Sequence, residues 1–139
     1  MAQTVREVMT PNPRSVDAAD TLVDAARLMR DEDVGAVIVR QNDRVEGILT
    51  DRDIVVRALA DDRDPGETSV SEIASKDLVA LSPDAGVERA IELMRERSVR
   101  RLPVLDGGEP VGIVSLGDLA IERDSASALA EISAAPANV

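Results

Sequence analysis

Apolar positions recur along the chain in two rhythms. Leu22, Ala25, Ala26 and Met29 fall at helical spacing, and Val87, Ala90, Ile91 and Met94 repeat that spacing. Thr21 and Gly86 stand where N-caps of these helices belong. The runs 36–39 and 45–49 are short and rich in Val and Ile, and they flank the polar turn Gln41-Asn42-Asp43. The runs 102–105 and 111–114 flank Asp106-Gly107-Gly108 in the same way, so each pair predicts a β-hairpin. Shorter signals surround these. Thr4 can cap a helix over 5–9, and Thr68 or Ser69 one over 70–74. Arg14-Ser15-Val16 and Val79-Ala80-Leu81 read as brief extended pieces, and 51–60 and 116–123 as closing helices. The predicted order is β-α-β-β-α, twice, an α/β (α+β) chain.

The two halves are copies. Gly47-Ile48 reappears 65 positions on as Gly112-Ile113, and the same offset carries Leu28-Met29-Arg30 onto Leu93-Met94-Arg95. Val5 falls on Val70, Val39 on Val104 and Asp53 on Asp118, with no gap needed between. The repeats span 5–60 and 70–124, joined by a charged, turn-rich linker at 61–69. A unit this small buries its own sheet and helices poorly, so the two are expected to pack as a pseudo-two-fold pair. An Ala- and Ser-rich tail, 125–139, follows, with helix expected over 126–132.

Composition narrows the chemistry. The 139 residues include no Phe, Tyr, Trp, His or Cys. Zinc sites of the usual Cys and His type, Ser-His-Asp or Cys-His nucleophiles and disulfides are therefore excluded. Without aromatic rings there is no stacking platform for single-stranded nucleic acid. A net charge of −11 argues against nucleic acid or an anionic membrane as partner. No apolar run approaches the ~20 residues of a membrane helix, and the opening residues carry no signal-peptide pattern. A cytoplasmic protein is the expectation.

One motif stands out in both copies. Gly47-Ile48-Leu49-Thr50-Asp51-Arg52-Asp53 and Gly112-Ile113-Val114-Ser115-Leu116-Gly117-Asp118 share the form Gly-x-x-hydroxyl-x-x-Asp. The plain explanation is a helix cap, with Thr50 or Ser115 as N-cap and an acid three residues on. Its duplication at one offset, behind a glycine that permits close backbone approach, suggests more. A hydroxyl and a carboxylate at the C-terminal edge of a sheet can serve a ligand there. A carboxylate can accept both protons of a cis-diol such as ribose, and a cap leaves lone pairs free to do so.

Two β-α-β-β-α repeats, each ending in this motif, resemble a tandem CBS-domain pair, or Bateman module. The resemblance covers 5–124. It is strengthened by Met9-Thr10-Pro11, by Thr50-Asp51-Arg52-Asp53-Ile54 and by Arg100-Arg101-Leu102-Pro103-Val104. The layout is similar to small stand-alone bacterial members, including the actinobacterial hypoxia-response type. The resemblance implies a non-enzymatic regulatory module. It would bind AMP, ADP or ATP, or else NAD(H) or S-adenosylmethionine, in clefts between the two repeats. Thr50 with Asp53 and Ser115 with Asp118 match the family's ribose-binding positions. Ser15, Val16, Ala36 and Val37, and Ala80, Leu81, Arg101 and Pro103, match the positions that hold adenine through backbone and aliphatic groups. Arg100 and Arg101 match the positions facing phosphate, with Arg14, Arg52 and Lys76 as helpers. The family's usual assembly implies a homodimer.

The first copy departs from this pattern. Gly35 and Ala36 stand where the second has Arg100 and Arg101, and Ile38 where it has Pro103. The alternative function is a ligand-free dimerisation scaffold in which the motifs only cap helices. Asp31-Glu32-Asp33 and Asp61-Asp62-Arg63-Asp64 lack the spacing of a calcium loop and read as solvated charge. No carboxylate pair is placed for acid-base chemistry, so no catalytic residue, no catalytic cofactor and no metal site are assigned. The only ligand expected is a regulatory adenine nucleotide, and an effector protein could receive its signal.

Overall fold

The structure is a computed structural model that describes residues 3–75 and 78–123. The tail at 125–139, with its expected helix, and Lys76 lie outside the described residues. The elements are α1 Val5–Val8, β1 Thr10–Pro11, β2 Ser15–Asp17, α2 Leu22–Glu32, β3 Ala36–Gln41, β4 Arg44–Thr50, α3 Asp51–Arg57, a 3-10 turn Leu59–Asp61, α4 Val70–Ile73, α5 Val87–Arg97, β5 Arg101–Asp106, β6 Glu109–Ser115 and α6 Leu116–Arg123. They form two three-stranded sheets, ordered β2-β3-β4 and β1-β6-β5, as the α/β reading requires.

The chain folds as two compact units whose limits differ from those of the sequence repeats. One is Arg14–Val79; the other joins the described residues up to Pro13 to those from Ala80 on. Each repeat therefore lends its opening segment to the other's sheet, and the loan is reciprocal. In the second unit Val5 N donates to Ala85 O (2.8 Å), Arg6 N to Pro83 O (3.0 Å) and Val87 N to Gln3 O (3.0 Å). In the 14–79 unit Val70 N donates to Asp20 O (2.7 Å), Ser71 N to Ala18 O (3.0 Å) and Leu22 N to Thr68 O (3.0 Å). Every bond of one set is the other set moved by one repeat. Beyond the short helix, β1 pairs antiparallel with β6 at Thr10 and Ile113, and Ser75 bridges Ile48 at the matching place.

Both hairpins turn on two residues with positive φ, Asn42-Asp43 and Gly107-Gly108. That twist matches the right-handed twist of the strands they join. Strand pairing slips once in each hairpin, after Val39 and after Val104. The core of the 14–79 unit gathers Val16, Leu22, Ala25, Met29, Val37, Val39, Leu49, Ile54, Val70 and Ile73. The second unit buries the matching positions Leu81, Val87, Ala90, Met94, Leu102, Val104, Val114, Leu119 and Val5. Aliphatic residues at the same places in both repeats are what give the same fold twice.

Local departures from the predicted elements have local causes. Ala26 is exposed, and Leu28 packs against the core instead. In α5 Leu93 is buried beside Met94, with Ile91 half-buried. The helix expected over 51–60 ends at Arg57, where Ala58 O turns to accept from Asp61 N and Arg63 N. The strand expected over 79–81 shrinks to one parallel bridge between Leu81 and Val104. In the first repeat Ile38 N donates to Arg14 O (2.8 Å) and extends β2. The second repeat has Pro103 at that position, which has no N–H to donate to Val79.

Candidate functional site

The hydroxyl-x-x-Asp motif lies where the last strand of each hairpin becomes a helix. Thr50 ends β4 and caps α3; Ser115 ends β6 and precedes α6. Thr50 N donates to Asp53 Oδ2 (2.9 Å), and Asp53 N donates to Thr50 Oγ1 (3.1 Å). Ser115 N donates to Asp118 Oδ2 (2.9 Å), and Asp118 N donates to Ser115 Oγ (3.1 Å). The two copies agree to within a tenth of an ångström. All four residues are half-buried. The capping role is therefore real, and it uses one oxygen of each carboxylate. The other, Oδ1 of Asp53 and of Asp118, takes no hydrogen bond from the described residues.

A third box acts as an internal control. Thr21 and Asp24 exchange the same two bonds at 3.1 Å each at the start of α2. Cap geometry alone therefore does not mark a ligand site. What sets the other two apart is their place at a strand end, one repeat apart, beside a loop that closes on them. Asp51 N donates to Gly35 O (3.0 Å), and Leu116 N donates to Arg100 O (2.9 Å).

The structure brings some of the other sequence-chosen residues to these motifs. Ala36 pairs with Thr50 across β3 and β4, and Arg101 pairs with Ser115 across β5 and β6. Residues paired across strands share a sheet face, so these sit beside the hydroxyls. Arg100 and Arg52 are exposed. Ser15, exposed on β2, lies one strand further out, opposite Ile38. Arg14 is exposed and pairs with Glu32 at 3.4 Å. Ala80 is half-buried beside the Leu81 bridge.

Other chosen side chains point elsewhere. Val37 is fully buried, and Val16 and Leu81 nearly so. Val16 and Val37 belong to the core cluster of the 14–79 unit. Pro103 is also buried. These four side chains are covered, so a base held at these positions would meet their main-chain groups. Strand residues next to a sheet edge and core residues of the same strand are both aliphatic, and the sequence pattern does not separate them.

The motif glycine also has a structural role that the sequence reading missed. A Cβ on Gly112 would overlap Met9 Sδ, lie 2.8 Å from Met9 Cγ and 3.0 Å from Thr10 O. The glycine lets the loaned segment cross β6 closely. The signal was present in the pairing of Met9-Thr10 with Ala74-Ser75 at the repeat offset, but its partner strand lay in the other repeat.

An apolar helix face accompanies each site. In the second unit a cavity of about 540 Å³ is lined by Glu88, Ile91, Met94, Arg95, Val99, Leu116, Leu119 and Ala120. Leu116 is 53% exposed. In the 14–79 unit Val34, Val55 and Leu59 are exposed large apolar residues. Among the described residues no three carboxylates are placed to hold a metal ion. No described helix is long and apolar enough to cross a membrane.

Two matched units, each ending its hairpin on the same capped motif, define an internally duplicated α/β protein. The CBS-domain family model matches it twice, at residues 5–59 and 70–124, so the chain belongs to the CBS-domain family. It is 43% identical over 133 residues to the CBS domain-containing protein YhcV of Bacillus subtilis, covering 93% of this chain and 94% of that one. It is 37% identical over 118 residues to Hypoxic response protein 1 of Mycobacterium tuberculosis, covering 84% and 82%. A crystal structure of Hypoxic Response Protein I with two coordinated zinc ions superposes with a TM-score of 0.75 at 36% identity, covering 85% and 97%. The CBS-domain pair of protein MJ0100 shares the fold, with a TM-score of 0.82 at 19% identity, covering 91% and 100%. CBS-pair proteins are regulatory modules, in general not catalysts.

Proposed function

We propose that the chain is a non-enzymatic sensor of adenosyl ligands. The ligand class is AMP, ADP or ATP, with NAD(H) and S-adenosylmethionine as further members to test. Thr50 with Asp53 and Ser115 with Asp118 hold the ribose. The observation that carries this reading is the duplicated motif, in which each carboxylate gives Oδ2 to the cap and takes no hydrogen bond on Oδ1 from the described residues. Ribose hydroxyls are donors that such an oxygen accepts. Support comes from the CBS pair of MJ0100, whose structure holds 5′-methylthioadenosine and S-adenosylmethionine. Adenine is held by main-chain groups at Ser15, Val16, Ala36 and Val37, and at Ala80, Leu81 and Pro103. Phosphate is met by Arg100 and Arg101, with Arg14, Arg52 and Lys76 as helpers.

The output is a shift in shape or assembly, as large as the ligand's differential affinity for the two states. The protein works in the cytoplasm as a homodimer and signals to an effector protein. The exposed apolar helix faces support a second copy as the covering partner. Sedimentation should give a mass near twice 14.8 kDa, and Leu116→Arg should halve it; a monomeric native chain would contradict the assembly.

The rival reading is a ligand-free dimerisation scaffold, and the Thr21–Asp24 box favours it by showing a cap of the same form without a repeat partner motif. Thermal melting followed by circular dichroism separates the two. Millimolar AMP, ADP, ATP, NADH or S-adenosylmethionine should raise the melting temperature of the native chain, and raise it less in Asp53→Ala or Asp118→Ala. No shift with any of the five would support the scaffold.

A further inference from the structure

The two motifs are alike in geometry and opposite in charge. The loop that closes on the first runs Asp31-Glu32-Asp33-Val34-Gly35-Ala36, and the loop that closes on the second runs Glu96-Arg97-Ser98-Val99-Arg100-Arg101. These are the same six positions of the repeat. Each ends a helix on a residue with φ 54°, Asp33 or Ser98, and each hands a carbonyl to the first turn of the motif helix. The first carries three acids and no base; the second carries three bases and one acid. All the charged members are exposed except Arg101, which is half-buried. Arg14 and Arg30 offset two acids of the first loop through their pairs with Glu32 and Asp31; the second repeat has Val79 in place of Arg14 and keeps a base, Arg95, in place of Arg30. Within the motif helices Asp51 and Arg52 cancel, while Leu116 and Gly117 add nothing. Counted as formal charge with Arg30 and Arg95, the balance beside Asp53 is about one negative charge and that beside Asp118 about three positive.

From this we infer that the two sites divide adenosyl ligands by charge. The inference rests on the adenosyl-sensor reading and names the ligand class of each site. The Ser115–Asp118 site takes phosphorylated ligands. Arg100 is anchored through its carbonyl to Leu116 N, and Arg101 is paired with Ser115, so the backbone of both arginines lies against the motif. Arginine forks onto phosphate oxygens and answers the charge that the ribose carboxylate repels. The Thr50–Asp53 site takes adenosyl ligands without phosphate, neutral or cationic. Gly35 and Ala36 supply no cation, and the acids of the loop repel an anion. A chain of this kind reads a phosphorylated and an unphosphorylated adenosyl compound separately.

The test reads each site on its own in the native chain. Amide resonances of Thr50 and Asp53 report one site, and those of Ser115 and Asp118 the other. Adenosine, 5′-methylthioadenosine, AMP and ATP are titrated at low salt. At Ser115 and Asp118, AMP should bind about tenfold or more tighter than adenosine, and the advantage should shrink as salt screens it. At Thr50 and Asp53, adenosine and 5′-methylthioadenosine should bind at least as tightly as AMP. Arg100→Gly should remove most of the AMP advantage at the second site, and Gly35→Arg should create one at the first. Both changes fall in exposed or half-buried loop positions. If both sites respond with the same charge order, the charge division is overturned while the sensor reading stands. If neither pair of amides moves with any ligand, the sensor reading itself has failed, and this inference with it.

Discussion

Replacing Gly112 with alanine tests the reciprocal loan of the opening segments. The added Cβ would overlap Met9 Sδ, come within 2.8 Å of Met9 Cγ and lie 3.0 Å from Thr10 O. The methionine end is flexible and can swing aside, but it is half-buried and loses packing when it does. The carbonyl belongs to backbone paired with β6 and yields only by moving the strand. Overpacking of this kind costs about 1–3 kcal/mol. A loss of about 2 kcal/mol lowers the melting temperature by roughly 5–10 °C in a chain of this length. Urea unfolding should be followed by far-ultraviolet circular dichroism, because the chain has no Trp or Tyr to report. A double-mutant cycle with Met9→Ala isolates the contact. The double variant should be more stable than the two single losses predict, by on the order of 1 kcal/mol, with the residue due to Thr10 O. Strict additivity, or a Gly112→Ala chain as stable as the native one, would refute the close crossing of Met9-Thr10 over β6.

Other expectations are simpler. Asp53→Ala and Asp118→Ala each remove a cap partner and should cost about 0.5–2 kcal/mol by chemical unfolding, whereas the asparagine variants, which keep an acceptor, should cost less. The Glu72 carboxyl is held below its usual range, first by the Ser69 backbone N–H and then by Arg63. A carboxyl lowered in the folded state adds stability above its unfolded value and loses it as pH falls through the folded one. The native chain should therefore outlast Glu72→Gln near neutral pH, and the two melting curves should converge on acidification. Arg14→Ala removes an exposed ion pair with Glu32 and should change stability by less than about 1 kcal/mol, with no difference left at high salt.

Most of the fold was legible because the aliphatic rhythm occurs twice. Leu22 and Val87, or Leu49 and Val114, are buried at matched places, and each copy corroborates the other. The loan of the opening segments was not legible. The Val5–Ala85 and Val70–Asp20 bonds join residues far apart in sequence, and no local pattern says which sheet a short helix will join. The strand lost at 79–81 was legible in principle, since Pro103 stands in the neighbouring strand without an N–H. Thr50, Asp53, Ser115 and Asp118 stand out by their spacing, and their hydrogen bonds follow the capping-box rule. Which side chains of those strands are covered was less legible. Val37 and Leu81 are buried, because alternation along a strand assigns a face only once the sheet's covered side is known.

Whether the duplicated hydroxyl-x-x-Asp motifs bind adenosyl ligands is read by isothermal titration of the native chain against AMP, ADP, ATP, NADH and S-adenosylmethionine, with Asp53→Asn and Asp118→Asn alongside. At least one ligand should bind, and one or both variants should weaken that binding while keeping the native fold. No heat from any of the five at millimolar concentration, or binding that neither variant changes, would contradict the sensor reading.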